Sequence, residues 1–182
     1  MLIVYSILTV CLLIASIYDA TIKKIPNWIS LVILVSGLSW NYFFAEGLGL
    51  RDSGAGFLAG FLLMLFGYIF ASMGAGDVKL MAAIGSVVGF NSVLDVVLYS
   101  YIIMFVGAIF FIIVKGDFVK LSLRYKALVY GLFSGILSYQ KPDSSEAAGY
   151  RMPLAPAISL ATLYVLYPKI CNSGAMFNLC HF

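Results

Sequence analysis

Charge is scarce in this sequence. Asp, Glu, Lys and Arg make up 10% of its 182 residues, and there is a single histidine. A water-soluble domain carries about 25% charged residues, so this chain lacks the means to cover a soluble surface. Cys11, Cys171, Cys180 and His181 cannot build a four-ligand zinc site by themselves, and neither a metal nor a cofactor is expected. Cys11 lies within an apolar run and reads as an inert buried thiol. Cys171 and Cys180 lie together in the tail, where pairing requires an oxidising compartment. The formal net charge of +3 is too small for a nucleic-acid partner, and in a membrane protein positive charge reports topology.

What the chain has is apolar surface: 63% hydrophobic residues and a mean hydropathy of +1.04. The expected fold is an all-α polytopic membrane protein of about six spans, each about 20 residues long, in a single transmembrane domain. The opening run Leu2 to Tyr18 lacks a basic region before it and reads as a retained span. Further spans are expected over about 28–44, 54–72, 77–90, 93–114 and 153–170, the fourth being short for a crossing. Gly56 and Gly60 in the third form a small-xxx-small pair that admits a neighbouring helix. Pro153 suits the first turn of the sixth. Residues 115–152 form the longest polar stretch, within which Ala127 to Leu137 is apolar but too short to span, so an interfacial helix is expected there, with a segment that dips into the membrane as the competing topology.

Six spans place Lys23, Lys24, Lys79, Lys115, Lys120, Arg124, Lys126, Lys141 and Arg151 on one side and only Arg51 and Lys169 on the other. The positive-inside rule makes the first side cytoplasmic and puts both termini outside. The same bookkeeping brings Asp19, at the end of the first span, and Asp77, at the start of the fourth, to the cytoplasmic edge of the bilayer.

An ionisable residue in a membrane segment is costly and therefore a functional candidate. Two carboxylates in a poorly hydrated site share a proton, so that one acts as base and the other as acid. Peptide hydrolysis needs this pair: the base activates water for attack on the carbonyl, and the acid protonates the leaving amine. Asp77 at a helix N-terminus is favoured as the ionised partner, and Asp19 at a C-terminus as the proton holder. Gly74 and Gly76 permit open backbone geometry and close approach of a substrate strand. Lys79 sits on a different helix face from Asp77 and is a candidate for the site margin. The same two aspartates also fit a small proton- or ion-coupled transporter, although such sites usually lie near the midplane. An inactive scaffold of a secretion or pilus system is the third alternative.

The order of Asp19, Lys24-Ile25-Pro26-Asn27, then Gly74-Ala75-Gly76-Asp77-Val78-Lys79-Leu80, and a late Pro153-Leu154-Ala155-Pro156-Ala157, resembles the type IV prepilin peptidases. These are Gly-x-Gly-Asp intramembrane aspartic proteases. The resemblance implies that Asp19 and Asp77 are catalytic, with Pro26, Asn27, Gly74, Gly76 and Lys79 as supporting or substrate-approach residues. It implies a bacterial inner-membrane enzyme that removes the leader of pilin-like precursors at the cytoplasmic face. The compact form is more similar to the short peptidases of Flp/tight-adherence systems. It has no segment with paired Cys-x-x-Cys motifs, and the resemblance therefore does not extend to N-methyltransferase activity.

Overall fold

The computed structural model describes residues 2–43, 49–71, 73–115 and 153–172. Among them the chain forms six helices and no strand: α1 (Leu2–Ile22), α2 (Asn27–Phe43), α3 (Leu50–Ala71), α4 (Ala75–Val88), α5 (Phe90–Lys115) and α6 (Ala155–Asn172). One compact unit contains α1 to α4, α5 as far as Ile103, and α6; the second unit covers 104–152. The expected interfacial helix over 127–137, the Cys171–Cys180 pairing and most of the polar stretch lie outside the described residues.

The helices are apolar on both faces, as lipid-immersed helices require. On α1, Tyr5, Leu8, Leu12, Ala15 and Asp19 are buried at intervals of three or four residues, while Ile3, Val10, Leu13 and Ile17 on the other side are exposed. Exposed Leu31 and Val35 on α2, Leu58, Leu62 and Phe66 on α3, and Leu98 and Ile102 on α5 continue that outer surface. Among the described residues three helices are long and apolar enough to cross a membrane, at Ile3–Ile22, Leu50–Ile69 and Phe90–Phe110.

At 14 residues, α4 is about 21 Å long, short of a hydrocarbon core of about 30 Å. Its side chains from Leu80 to Val88 are buried almost throughout, which marks it as the central helix of its unit. Only glycine faces let its neighbours come so close. A Cβ at Gly56 of α3 would run into the Gly85 carbonyl, one at Gly60 would lie 2.7 Å from the Met81 carbonyl oxygen, and one at Gly37 of α2 would lie 2.7 Å from Val87 Cγ2. The small-xxx-small pair of α3 therefore serves as the seat for α4. Beside this seam the buried Asn41 amide donates to Ser53 Oγ (2.6 Å) and to the Ser86 carbonyl (3.2 Å), joining α2, α3 and α4.

Two helix ends differ from the sequence expectations. The first helix continues one turn past Asp19 and closes at Lys23, which takes a left-handed conformation (φ 56°) and donates its N–H to the Asp19 carbonyl at 3.0 Å. The last helix starts at Ala155, so Pro153 lies outside it and Pro156 occupies its first turn. Proline at either position removes only an N–H that has no intrahelical acceptor.

Candidate active site

The two aspartates come from different helix ends but belong to one end of their unit. The turn after α1 carries Ile25 onto the start of α4, where a Cβ on Gly76 would lie 3.1 Å from Ile25 Cβ. Next to it, Lys79 Nζ donates to Asn27 Oδ1 at 3.2 Å, linking the first residue of α2 to the first turns of α4. The N-terminus of α6 reaches the same place through Asp19. Thus Asp19, Pro26, Asn27, Gly74, Gly76, Asp77 and Lys79 all lie around one cluster of helix ends.

Both carboxylate-bearing residues are buried, Asp19 to 7% exposure and Asp77 to 5%. Asp77 is the third residue of α4, and its Oδ2 accepts the Gly74 N–H at 3.0 Å, while its own N–H donates to the Gly74 carbonyl at 3.0 Å. This is the half of a capping box that a glycine N-cap permits. Asp19 lies in the last turn of α1, yet its Oδ2 accepts the N–H of Ala155, the first residue of α6, at 2.9 Å. Asp77 therefore meets the positive end of its own helix, as its position suggests, whereas Asp19, in the last turn of α1, meets the positive end of α6. The expected division of labour loses its basis, since a helix N-terminus acts on both aspartates.

The glycines also play a different part from the one expected. Gly74 has an ordinary extended backbone (φ −78°, ψ 140°) and is buried, and its contribution is the N–H on Asp77. Gly76 is helical, and its missing side chain is filled by Ile25. Lys79 is exposed two residues beyond buried Asp77, as the helical period requires. Pro26 accepts the Ile29 N–H through its carbonyl (3.2 Å) at the head of α2.

The Ala155 N–H was hidden from sequence reasoning, because a backbone donor has no residue signature. The one usable signal was the Pro-Leu-Ala-Pro run, which marks a helix start and hence a set of free N–H groups. One turn further in, the buried Ser159 lies 2.7 Å from Ser16 of α1, again without any local motif.

A family model described as the type IV leader peptidase family matches residues 6–112. The matched stretch carries both aspartates and ends before α6. No curated protein and no solved structure matches the chain. The apolar helices and the family match together make this a membrane protein of protease type.

Proposed function

This chain belongs to the type IV leader peptidase family, and from that premise we propose that it is an aspartic endopeptidase in which Asp19 and Asp77 form the catalytic pair. The observation that carries the reading is the shared setting of two buried carboxylates at one end of the unit, each accepting a backbone N–H at a helix start. Fixed N–H donors orient the carboxylates and hold charge where water is excluded, the condition under which a carboxylate pair handles protons. One aspartate removes a proton from water as it attacks the scissile carbonyl, and its partner protonates the leaving amine.

The proposed substrates are pilin-like precursors, cut at the cytoplasmic face of a bacterial inner membrane that the chain crosses about six times with both termini outside. Lipid faces its outer surface. Lys79, with Asn27 against it, stands at the exposed margin of the site, where substrate arrives. Pro26, Gly74 and Gly76 act by shaping the turn and the helix start around the aspartates.

The test is cleavage of a co-expressed pilin-like precursor by wild type, Asp19→Asn and Asp77→Asn, with membrane levels of each variant measured. Asparagine keeps the acceptor oxygen for Ala155 or Gly74 and removes only the acid–base function. Cleavage by wild type alone supports the pair; equal cleavage by all three refutes it.

A further inference from the structure

The hydrogen bond from Ala155 to Asp19 joins helices at the two ends of the chain, 136 residues apart, and it is useful only if α6 keeps its register against α1. One turn away the structure has a device that sets this register. Ser16 Oγ lies 2.7 Å from Ser159 Oγ, Ser16 Oγ also lies 2.8 Å from the Leu12 carbonyl, and Ser159 Oγ lies 3.2 Å from that carbonyl and 2.7 Å from the carbonyl of Ala155. Two hydroxyls supply two protons to these four contacts. If both went to the intrahelical carbonyls, two oxygens would face each other at 2.7 Å with no hydrogen between them. At least one proton therefore lies on the line between Ser16 and Ser159 or between Ser159 and Leu12, and each of these choices crosses from α6 to α1.

Spacing connects this bond to the acid. Leu12, Ser16 and Asp19 follow one another at intervals of four and three on α1, and Ser159 follows Ala155 by four on α6. The serine pair and the Asp19–Ala155 pair are thus successive rungs of one seam. Leu8, Leu12 and Ala15 on α1 and Ile158 and Ala161 on α6 are buried apolar side chains that carry no directional preference of their own.

We propose that Ser16 and Ser159 are positioning residues for peptide hydrolysis: their cross-helix hydrogen bond sets the register at which the Ala155 N–H holds the Asp19 carboxylate. The proposal rests on the reading of Asp19 as catalytic. It gives α6, which lies beyond the family-matched residues, a direct part in the chemistry.

The experiment uses the purified full-length protein in detergent and a pilin-like precursor as substrate, with kcat and KM measured per folded molecule. Ser16→Ala, Ser159→Ala and their double variant are compared with Ser16→Thr, which keeps the hydroxyl at a half-buried position. Ser100→Ala is the control, a buried serine bonded within its own helix to the Val96 carbonyl (2.6 Å). Asp19→Asn is included. The expected result is a kcat lowered about tenfold in each alanine variant with KM within about twofold, since a small misplacement of a reacting group costs rate more than binding. The double variant falls no further than the worse single, as partners in one bond should, and Ser16→Thr and Ser100→Ala keep the wild-type kcat. Wild-type kcat in both alanine variants alongside an inactive Asp19→Asn overturns the positioning role and leaves the catalytic reading intact. An active Asp19→Asn overturns that reading and the proposal with it.

Discussion

Replacing Gly85 by alanine should separate α3 from α4, and the size of the effect follows from the contacts. A Cβ at Gly85 meets the Gly56 carbonyl oxygen, lies 2.6 Å from Gly56 C and 3.2 Å from Phe57 N. All three atoms are backbone, so no rotamer change relieves the overlap. Ordinary carbon–carbon contact begins near 3.5 Å, and the helices must move apart by about 1 Å. Overpacking of a tight core costs about 1–3 kcal/mol, and a rigid backbone clash falls at the upper end. Alanine's better helix propensity offsets about 1 kcal/mol, leaving a net loss of about 2 kcal/mol. Gly54 of α3 supplies the comparison, because a Cβ there meets nothing within 4 Å and Gly54→Ala keeps the propensity gain without the clash. The two variants should therefore differ by about 3 kcal/mol, or about 6–12 °C in unfolding temperature for a chain of this length. Thermal unfolding in detergent measures the difference, and precursor cleavage should fall with Gly85→Ala because α4 carries Asp77. Unfolding temperatures that agree within about 2 °C would show that the glycine seam does not set the α3–α4 distance.

Four other substitutions probe the site and its supports. Ala155→Pro removes the N–H that Asp19 accepts but leaves a residue suited to the first helical position; cleavage should fall at least about tenfold with helical content unchanged by circular dichroism. Asp77→Ala should unfold at lower temperature than Asp77→Asn, by about 1 kcal/mol, because only asparagine still accepts the Gly74 N–H; equal melting of the two contradicts the cap. Asn41→Ala deprives Ser53 and the Ser86 carbonyl of their donor inside the unit and should cost about 1–3 kcal/mol by the same melting assay. Lys23→Gly relieves a left-handed residue and should raise stability by about 1 kcal/mol, whereas Lys23→Ile should lower it; the opposite order of unfolding temperatures refutes strain at this helix end.

Much of the site's composition was legible because chemistry-bearing residues are rare in an apolar sequence. With so few charges, the aspartates at the two helix ends stood out without any structure, and lysine placement by the positive-inside rule was the ground for expecting them at one edge of the membrane. The helices were legible for the same reason, since long apolar runs broken by Asp-Ala-Thr-Ile-Lys-Lys and Met-Gly-Ala-Gly-Asp admit few other readings. The Gly56 and Gly60 seat was readable as well, as a gap between glycines at helical spacing says that something comes close. It does not say what, and the partner, Gly85 on α4, was not singled out.

The expectations that failed share a physical cause: sequence position gives a residue its own helix but not its spatial neighbours. Asp19 read as a carboxylate facing the unfavourable end of α1, yet its oxygen meets the favourable end of α6. Gly76 read by its freedom of backbone, yet it is helical and Ile25 from the preceding turn lies where its side chain would begin. Both corrections place the same demand on the fold. If Asp77 is held by its own helix start and Asp19 by a helix from the far end of the chain, the first aspartate can be set locally and the second only after α1 and α6 have docked. Assembly of the pair therefore depends on the whole unit closing, and a change in α6 that leaves every matched residue from 6 to 112 untouched should still act on Asp19.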